Sequence, residues 1–267
     1  MKKSKIIQLE SRDVQLLKLF CIFGFLNPKE IASEVFHTKE RYVRRRLRDL
    51  FQGGYLIKRQ RQEGSAKSEV YCPNLKKVMT VVDKYTLERG IIAEERKVWS
   101  RSYWRHENEL REWALKIFQI YPLAEIEPDF LLLEAQGSTG RYAFQSFLQL
   151  PDFIIRLPLR PSVAVEIEKS HKTISRYHQR FSEIMSEPNR PTLYLIENEI
   201  VFKAVQTGLD SALLSLQVRD QIPQSKVHLC LYKEASEPGF LKQKLDDLFD
   251  KDPWSSTSHL TLGQGTG

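Results

Sequence analysis

The sequence predicts a protein of the α/β class, in which a helical part with a β-hairpin precedes a larger part of alternating helices and strands. Three observations support this prediction. The first 62 residues hold 15 Lys and Arg but 6 Asp and Glu, a net charge of +9 against +7 for the whole chain. Residues 8–75 show three helical periodicities followed by two short strands. From Leu123 onward, apolar strand-like runs alternate with amphipathic helices, as expected for a mixed sheet covered by helices.

Composition narrows the class of protein further. With 267 residues, 41% of them hydrophobic and 28% charged, the chain is long enough for two domains with proper cores. No apolar run of about 18 residues predicts a membrane span, and the basic start lacks the apolar stretch of a signal peptide, so we expect a cytoplasmic protein. Cys21, Cys72 and Cys230 lie far apart in apolar surroundings, which favours reduced thiols over a disulfide or zinc framework.

The first two helices carry their own start signals. The stretch "SRDVQLLKLFCIFG" predicts a helix over 11–24 with Ser11 as its cap. The next stretch, "NPKEIASEVF", predicts a helix over 27–36. Here Asn27 is the cap, a proline takes the first helical position, and Glu30 has the spacing of a capping box.

The third helix is predicted from Thr38 to the Gly53-Gly54 pair and is rich in arginine. Its apolar stripe consists of Val43, Leu47, Leu50 and Phe51. At 100° per residue, the opposite face carries Arg41, Arg45 and Arg48. Residues 55–74 then read as two strands around a polar turn at Gly64-Ser65.

Three helices followed by a basic hairpin predict a winged helix-turn-helix over residues 8–75. In that arrangement the third helix enters the DNA major groove and the hairpin rests on the backbone. The helix residues expected to contact base edges or phosphates are Arg41, Arg45 and Arg48, and the hairpin residues expected to contact phosphates are Lys58, Arg59 and Arg61. The alternative is a winged helix that binds another protein, with its arginines merely solvated.

The second part begins after a helical connector, residues 76–94, whose helix is predicted to end at Gly90. A long helix follows, with "RHENEL" at its centre, and the pattern then changes to strands at 123–135, 147–157 and 162–170. A helix over 173–187, a strand, a helix and a last strand complete a domain predicted for residues 95–250. The tail 251–267 is polar and rich in Gly, Ser and Thr, which predicts disorder.

One strand of this second part carries two carboxylates where apolar residues are expected. In "VAVEIEK", alternation places Glu166 and Glu168 on the same face, which is costly in a central strand unless the charges are compensated. Together with Asp152 at the start of the neighbouring strand, Glu166 would offer hard oxygen ligands for Mg²⁺ or Mn²⁺. The alternative compensation is an ion pair with Arg156 or Lys172.

In Pro151-Asp152 and "EIEK" at 166–169, the chain resembles the PD-(D/E)xK, or restriction-endonuclease-like, nucleases. The resemblance implies a metal-dependent nuclease core made of a helix, a three-stranded meander, a helix and a further strand. Glu168 stands where that family usually has a lysine, and Lys169 is displaced by one position. Either Lys169 or Lys172 would therefore take the place of the usual lysine.

A narrower resemblance covers most of the chain. An arginine-rich winged helix, a helix with a central histidine, and "PDF…VEIEKSHKT…RY" are similar to the replication-relaxation family and to C-class plasmid mobilisation relaxases. The resemblance implies metal-dependent, strand-specific DNA cleavage. The positions it implies for that chemistry are His106, Glu107, Asp152, Glu166, Glu168 and Tyr177. For His106, packing or capping of an amphipathic helix is the alternative, and for Tyr177 it is core packing.

These patterns lead to two functional hypotheses. The first is a DNA endonuclease that nicks one strand at a transfer or replication origin, using Arg176 and Arg180 on the exposed face of the helix after the carboxylates as further DNA contacts. Its expected partners are double-stranded DNA and relaxosome or coupling proteins, with no membrane. The second is a non-catalytic DNA-binding accessory or regulatory protein that keeps the nuclease fold as a scaffold.

Overall fold

The structure is a computed structural model that describes residues 7–63, 66–98, 104–129, 150–186, 191–217 and 227–249. Its contacts divide the chain into two compact units, Met1–Phe153 and Ile154–Gly267. The predicted boundary at residue 95 is not where this division falls, because the helices after the hairpin have their contacts within the first unit. The predicted polar turn at Gly64-Ser65 and the tail 251–267 lie outside the described residues.

The first unit consists of helices, one hairpin and a short strand. Its elements are, in order, α1 (Ser11–Phe23), α2 (Pro28–Glu30), a π-helical turn (Ile31–Val35), α3 (Glu40–Gln52), β1 (Leu56–Glu63), β2 (Ala66–Pro73), α4 (Leu75–Val78), α5 (Lys84–Glu95), α6 (Trp104–Ile120) and β3 (Glu125–Pro128). Three helical segments and a hairpin therefore occur in the predicted order and at nearly the predicted positions.

The start of α1 differs from the prediction by one residue. Glu10, not Ser11, is the N-cap, and the backbone N–H of Glu10 donates to Asp13 Oδ2 at 2.7 Å. Asp13 is the N3 residue of this helix, and its carboxylate makes the reciprocal hydrogen bond of a capping box to the N-cap N–H. The helix ends at Gly24, whose φ of 74° lies in the left-handed region where glycine has no steric penalty.

The start of α2 follows the sequence signal closely. The N–H of Glu30 donates to Asn27 Oδ1 and the N–H of Asn27 donates to Glu30 Oε2, both at 2.9 Å. This reciprocal pair is the predicted capping box, with Pro28 at the first helical position. The helix then widens into the π-helical turn before α3.

The helix predicted to end at Gly90 instead continues through it, because α5 runs to Glu95. Gly90 faces α1 and α4 at close range: a Cβ there would lie 2.7 Å from Leu75 Cδ2 and 3.2 Å from Cys21 Sγ. Glycine is needed for close packing at this position and does not act as a helix stop. A glycine in a helical pattern can indicate either the end of the helix or close packing against a neighbour.

The second unit alternates strands and helices. Its elements are, in order, β4 (Phe153–Arg156), β5 (Val163–Glu168), α7 (Ile174–Ser186), β6 (Thr192–Ile196), α8 (Glu199–Gln217), β7 (Val227–Leu231), α9 (Tyr232–Ala235) and α10 (Pro238–Phe249). The larger sheet is mixed, and in this unit its strand order is β4-β5-β6-β7. Strands β5, β6 and β7 are parallel, and Ala164 pairs with Thr192, which pairs with Val227.

The last helix, α10, is absent from the sequence-based predictions. The signal for it was present, because Leu241, Leu245 and Leu248 recur at helical spacing and are buried. The core of the second unit otherwise forms as the apolar pattern predicts. Side chains of α7, β6 and α8 pack together, among them Tyr177, Phe181, Tyr194, Val205 and Leu209.

Candidate nucleic-acid interface and carboxylate cluster

Helix α3 has two sharply different faces. Val43, Leu47 and Leu50 are buried, as the apolar stripe predicts. Phe51, expected in the same stripe, is instead 39% exposed, and its ring meets Tyr71 of the hairpin edge-on with centroids 6.3 Å apart. The predicted outward arginines are all exposed: Arg41, Arg45 and Arg48.

The remaining arginines of α3 have partners within the protein. Arg44 Nε donates to Glu40 Oε1 at 2.7 Å, one helical turn away. Arg46 turns inward, and its Nε donates to Oδ1 of the fully buried Asp13 at 2.8 Å. By contrast, within the described part of the chain Arg45 and Arg48 form no ion pair with an acidic side chain. Two uncompensated cations therefore lie side by side on the exposed face of the helix.

The hairpin presents its basic residues on two different faces. Lys58 is exposed, opposite Tyr71 in the register, and pairs with Glu69 at 2.7 Å. Arg59 faces the other side, as the pleat requires, and its Nη2 donates to Glu94 Oε1 of α5 at 2.7 Å. The phosphate contact predicted for Arg59 would therefore compete with its ion pair to Glu94. The side chain of Arg61 lies outside the described residues.

Glu166 and Glu168 lie on β5, as predicted, in a strand whose residues are mostly buried. Glu168 is 5% exposed, and Glu166 is half-buried. Each carboxylate has a cationic partner in the same unit. The Arg180 guanidinium donates to Glu166, and Lys172 Nζ lies 2.5 Å from Glu168 Oε2. The ion-pair alternative raised from the sequence thus describes the arrangement seen here, with Lys172 as one of the cations.

Two buried tyrosines border these ion pairs. Tyr194 is the register partner of Glu166 on β6, and burial, followed by the Glu166 charge, raises the pKa of Tyr194 well above its usual value. The Tyr177 hydroxyl donates to the Ser170 carbonyl at 3.1 Å. Burial and then the nearby Glu168 charge raise the pKa of Tyr177 to about 12. Both phenols therefore keep their protons at physiological pH.

These contacts bear on two further predictions, the exposed position of Arg180 and the role of Tyr177. Arg180 was expected on the exposed face of α7, but it is half-buried against Glu166, because a carboxylate at that depth requires a counter-charge. Arg176 is exposed, as expected. Tyr177 is 2% exposed and packs in the core, which is the alternative role that the sequence left open for it.

The other predicted site residues have the following positions. Asp152 directly precedes β4 and is half-buried, and its carbonyl accepts from the Asp129 N–H at 2.9 Å. Lys169 is half-buried at the end of β5. His106 and Glu107 belong to α6, but their side chains lie outside the described part of the chain. Arg156, the other predicted partner of the carboxylates, is exposed and donates to Ser162 Oγ at 3.0 Å.

The carboxylate oxygens of Glu166 and Glu168 are ligands that a hard divalent cation prefers, but each carboxylate already has a cationic side chain as its partner. A metal ion at Glu166 or Glu168 would have to share the carboxylate with Arg180 or Lys172, each of which already contributes a positive charge there. Among the residues that the structure describes, no three His, Cys, Asp or Glu side chains are arranged to hold a metal ion. A metal site that joins Asp152 to Glu166 therefore stays a prediction.

Two features at these surfaces have no counterpart in the sequence-based predictions. Tyr42 on α3 is 51% exposed, and the Arg41 guanidinium lies 4.8 Å from its ring centroid. In α6, the buried Arg111 donates to Glu30 Oε1 at 2.7 Å and so ties that helix to α2. Neither could be predicted from periodicity alone, since one depends on a side-chain rotamer and the other joins residues far apart in the sequence.

Comparisons of this chain with protein-family models, with curated proteins and with solved structures gave no significant match in any of the three. In the described residues, moreover, no helix has both the length and the apolar composition that a membrane crossing requires.

Proposed function

We propose that this protein binds double-stranded DNA through α3 and the following hairpin, in the manner of a winged helix-turn-helix. The observation that carries the proposal is the exposed face of α3, where Arg45 and Arg48 lie beside each other without acidic partners in the described structure. A protein that neutralises phosphates with such cations gains affinity from counterion release. A cytoplasmic location is part of this proposal.

The charge distribution supports the same proposal. Residues 1–62 carry a net charge of +9, although the whole chain carries +7. Within α3, two further arginines have acidic partners: the exposed Arg44 is bound by Glu40, and Arg46 turns inward to Asp13. An exposed, uncompensated row on one helix is the electrostatic pattern expected of a helix that enters the major groove.

Equilibrium binding tests this proposal. The full chain is titrated against fluorescent duplexes of random sequence, and anisotropy is followed at several salt concentrations. We expect dissociation constants of about 10⁻⁴–10⁻⁶ M that rise steeply with salt. An absence of binding even at low salt would contradict the proposal.

A second proposal adds chemistry to this binding: metal-dependent nicking of one DNA strand at a transfer or replication origin, with relaxosome or coupling proteins as further partners. The observation that favours it is a pair of carboxylates, Glu166 and Glu168, on one mostly buried strand with Lys172 beside them. Together with Asp152, these carboxylates are the residues that would hold Mg²⁺ or Mn²⁺. When bound, such an ion supplies an activated water for attack on phosphorus.

Supercoiled plasmid that carries the native origin tests the second proposal. Open circles that form only with Mg²⁺ or Mn²⁺, and that Asp152→Ala and Glu166→Gln abolish while both variants stay folded, would support nicking. Linear product would indicate a double-strand nuclease instead. Specific DNA binding without cleavage under either metal would leave the non-catalytic accessory or regulatory role, in which the Arg180 and Lys172 ion pairs are structural.

A further inference from the structure

The exposed start of α3 holds an arginine and a tyrosine that act as one group. Tyr42 is 51% exposed, although a tyrosine on a helix surface gains little by standing in water. The Arg41 guanidinium lies 4.8 Å from the centroid of its ring, and Arg41 Nη2 donates to Tyr42 Oη at 3.0 Å. Stacking and this hydrogen bond together hold the guanidinium in one orientation.

This arrangement leaves most of the arginine fork available. A guanidinium has five N–H donors, and the Tyr42 hydroxyl accepts from one terminal nitrogen of Arg41. An arginine that is already ordered loses less conformational entropy when it binds a ligand. Arg44 differs, because its Nε donates to Glu40. Arg41 is oriented by a neutral partner, so its charge stays uncompensated among the described residues, whereas the partner of Arg44 is a carboxylate.

The position of the pair in the helix indicates what it would contact. Arg41 and Tyr42 are the second and third residues of α3, whereas Arg45 and Arg48 follow one and two turns later. In helix-turn-helix proteins the N-terminal residues of the recognition helix contact base edges. Arginine binds guanine O6 and N7 with two hydrogen bonds, and apolar ring surface contacts the thymine methyl group.

We infer that Arg41 and Tyr42 form a base-reading unit that selects a guanine with a thymine beside it, while Arg45 and Arg48 contact phosphates and carry no sequence information. This inference rests on the proposed binding of duplex DNA and deepens it. It assigns the sequence specificity of the protein to the first turn of α3, and it makes the tyrosine a positioning residue for the arginine as well as a contact for the methyl group.

Selection of binding sites from a randomised duplex pool tests the inference with the full chain. Wild type should enrich a motif that contains a guanine–thymine step. Arg41→Ala removes the guanidinium fork, so its motif should lose the guanine, and Tyr42→Ala should lose the thymine preference and weaken the guanine preference. Arg48→Ala is the matched control, because it should lower affinity for all sequences and leave the motif unchanged.

Base analogues then test the contacts directly. Replacing the selected guanine by 7-deazaguanine, which lacks the N7 acceptor, should weaken wild-type binding by about tenfold and leave Arg41→Ala nearly unaffected. Replacing the thymine by deoxyuridine should weaken wild type and not Tyr42→Ala. An Arg41→Ala motif identical to that of wild type, or equal sensitivity of both proteins to 7-deazaguanine, would overturn the inference. Salt-dependent binding without any enriched motif would overturn it too and leave the DNA-binding proposal standing, whereas no binding at all would overturn both.

Discussion

Glu166 and Arg180 form a largely buried ion pair. Burial lowers the pKa of Arg180, but the charge of Glu166 and the hydrogen bond to it outweigh this effect, so the net pKa of Arg180 is raised and its guanidinium stays charged. Alternation along β5 was enough to predict that Glu166 and Glu168 share a face and need compensation. It could not predict which cation compensates Glu166, because Arg180 is 14 residues away on the next helix.

Removal of one member of this pair should cost more stability than removal of both. Arg180→Met removes the cation that faces the half-buried Glu166, and we expect a loss of about 3 kcal/mol in the free energy of unfolding. The double variant Glu166→Gln, Arg180→Met removes both charges and should recover most of that loss. Urea denaturation measures each value.

An exposed ion pair provides the control for this comparison. Lys233 and Glu199 pair at 2.5 Å, with side chains 67% and 59% exposed. Because water screens such a pair, Lys233→Ala should leave the urea midpoint nearly unchanged. If Arg180→Met also left the midpoint unchanged, the Glu166 pair would not be a stabilising contact.

Tyr177 should make the protein lose stability at alkaline pH. Burial and then Glu168 raise the pKa of Tyr177 from 10.0 to about 12 in the folded state. The folded state therefore holds this proton more tightly than the unfolded state, so the contribution is fully present below pH 10 and is lost as the pH rises towards about 12. In Tyr177→Phe, the free energy of unfolding should fall less steeply over that window. Urea unfolding at a series of pH values checks this, and equal slopes for both proteins would show that Tyr177 does not titrate with folding.

In helix α5, a glycine that could indicate a helix end instead allows close packing against neighbouring helices. Gly90 was interpreted as a helix end, whereas the helix continues through it to keep α5 close to α1 and α4. The capping box of α2 was predicted correctly, because Asn27, Pro28 and Glu30 act locally. Local signals such as caps can be read from sequence, but close approach between helices depends on residues that are distant in the chain.

Substitution of this glycine should therefore destabilise the protein although alanine favours helices. A Cβ at Gly90 would lie 2.7 Å from Leu75 Cδ2, so we expect Gly90→Ala to lose about 1–2 kcal/mol of unfolding free energy through overpacking. Gly239 in α10 is the matched control, because nothing lies within 4 Å of the added Cβ. Gly239→Ala should gain roughly 0.4–1 kcal/mol. Thermal unfolding of both variants measures the difference, and a stabilised Gly90→Ala would refute the close-packing account.

For the whole molecule, the α/β class and the order of the elements agree with the prediction, whereas the chain divides after Phe153 and not at residue 95. The switch from helical to alternating patterns near Leu123 marks a change of element type. Residues such as Arg111, which binds Glu30, and Arg59, which binds Glu94, instead join later helices to the N-terminal ones. Such contacts between distant positions leave no periodic trace, so the division of the chain at residue 153 could not be read in advance.

If the exposed arginines of α3 bind DNA phosphates, their removal must weaken the salt dependence of DNA binding. For each variant, the logarithm of the binding constant for one duplex is measured against the logarithm of the salt concentration. The double variant Arg45→Ala, Arg48→Ala should lower the magnitude of the slope by about 2, since each lost phosphate contact contributes about 0.9. Lys233→Ala, which removes an exposed cation of the second unit, should leave the slope close to that of wild type. A double variant with the wild-type slope and affinity would contradict the claim that this face of α3 binds DNA.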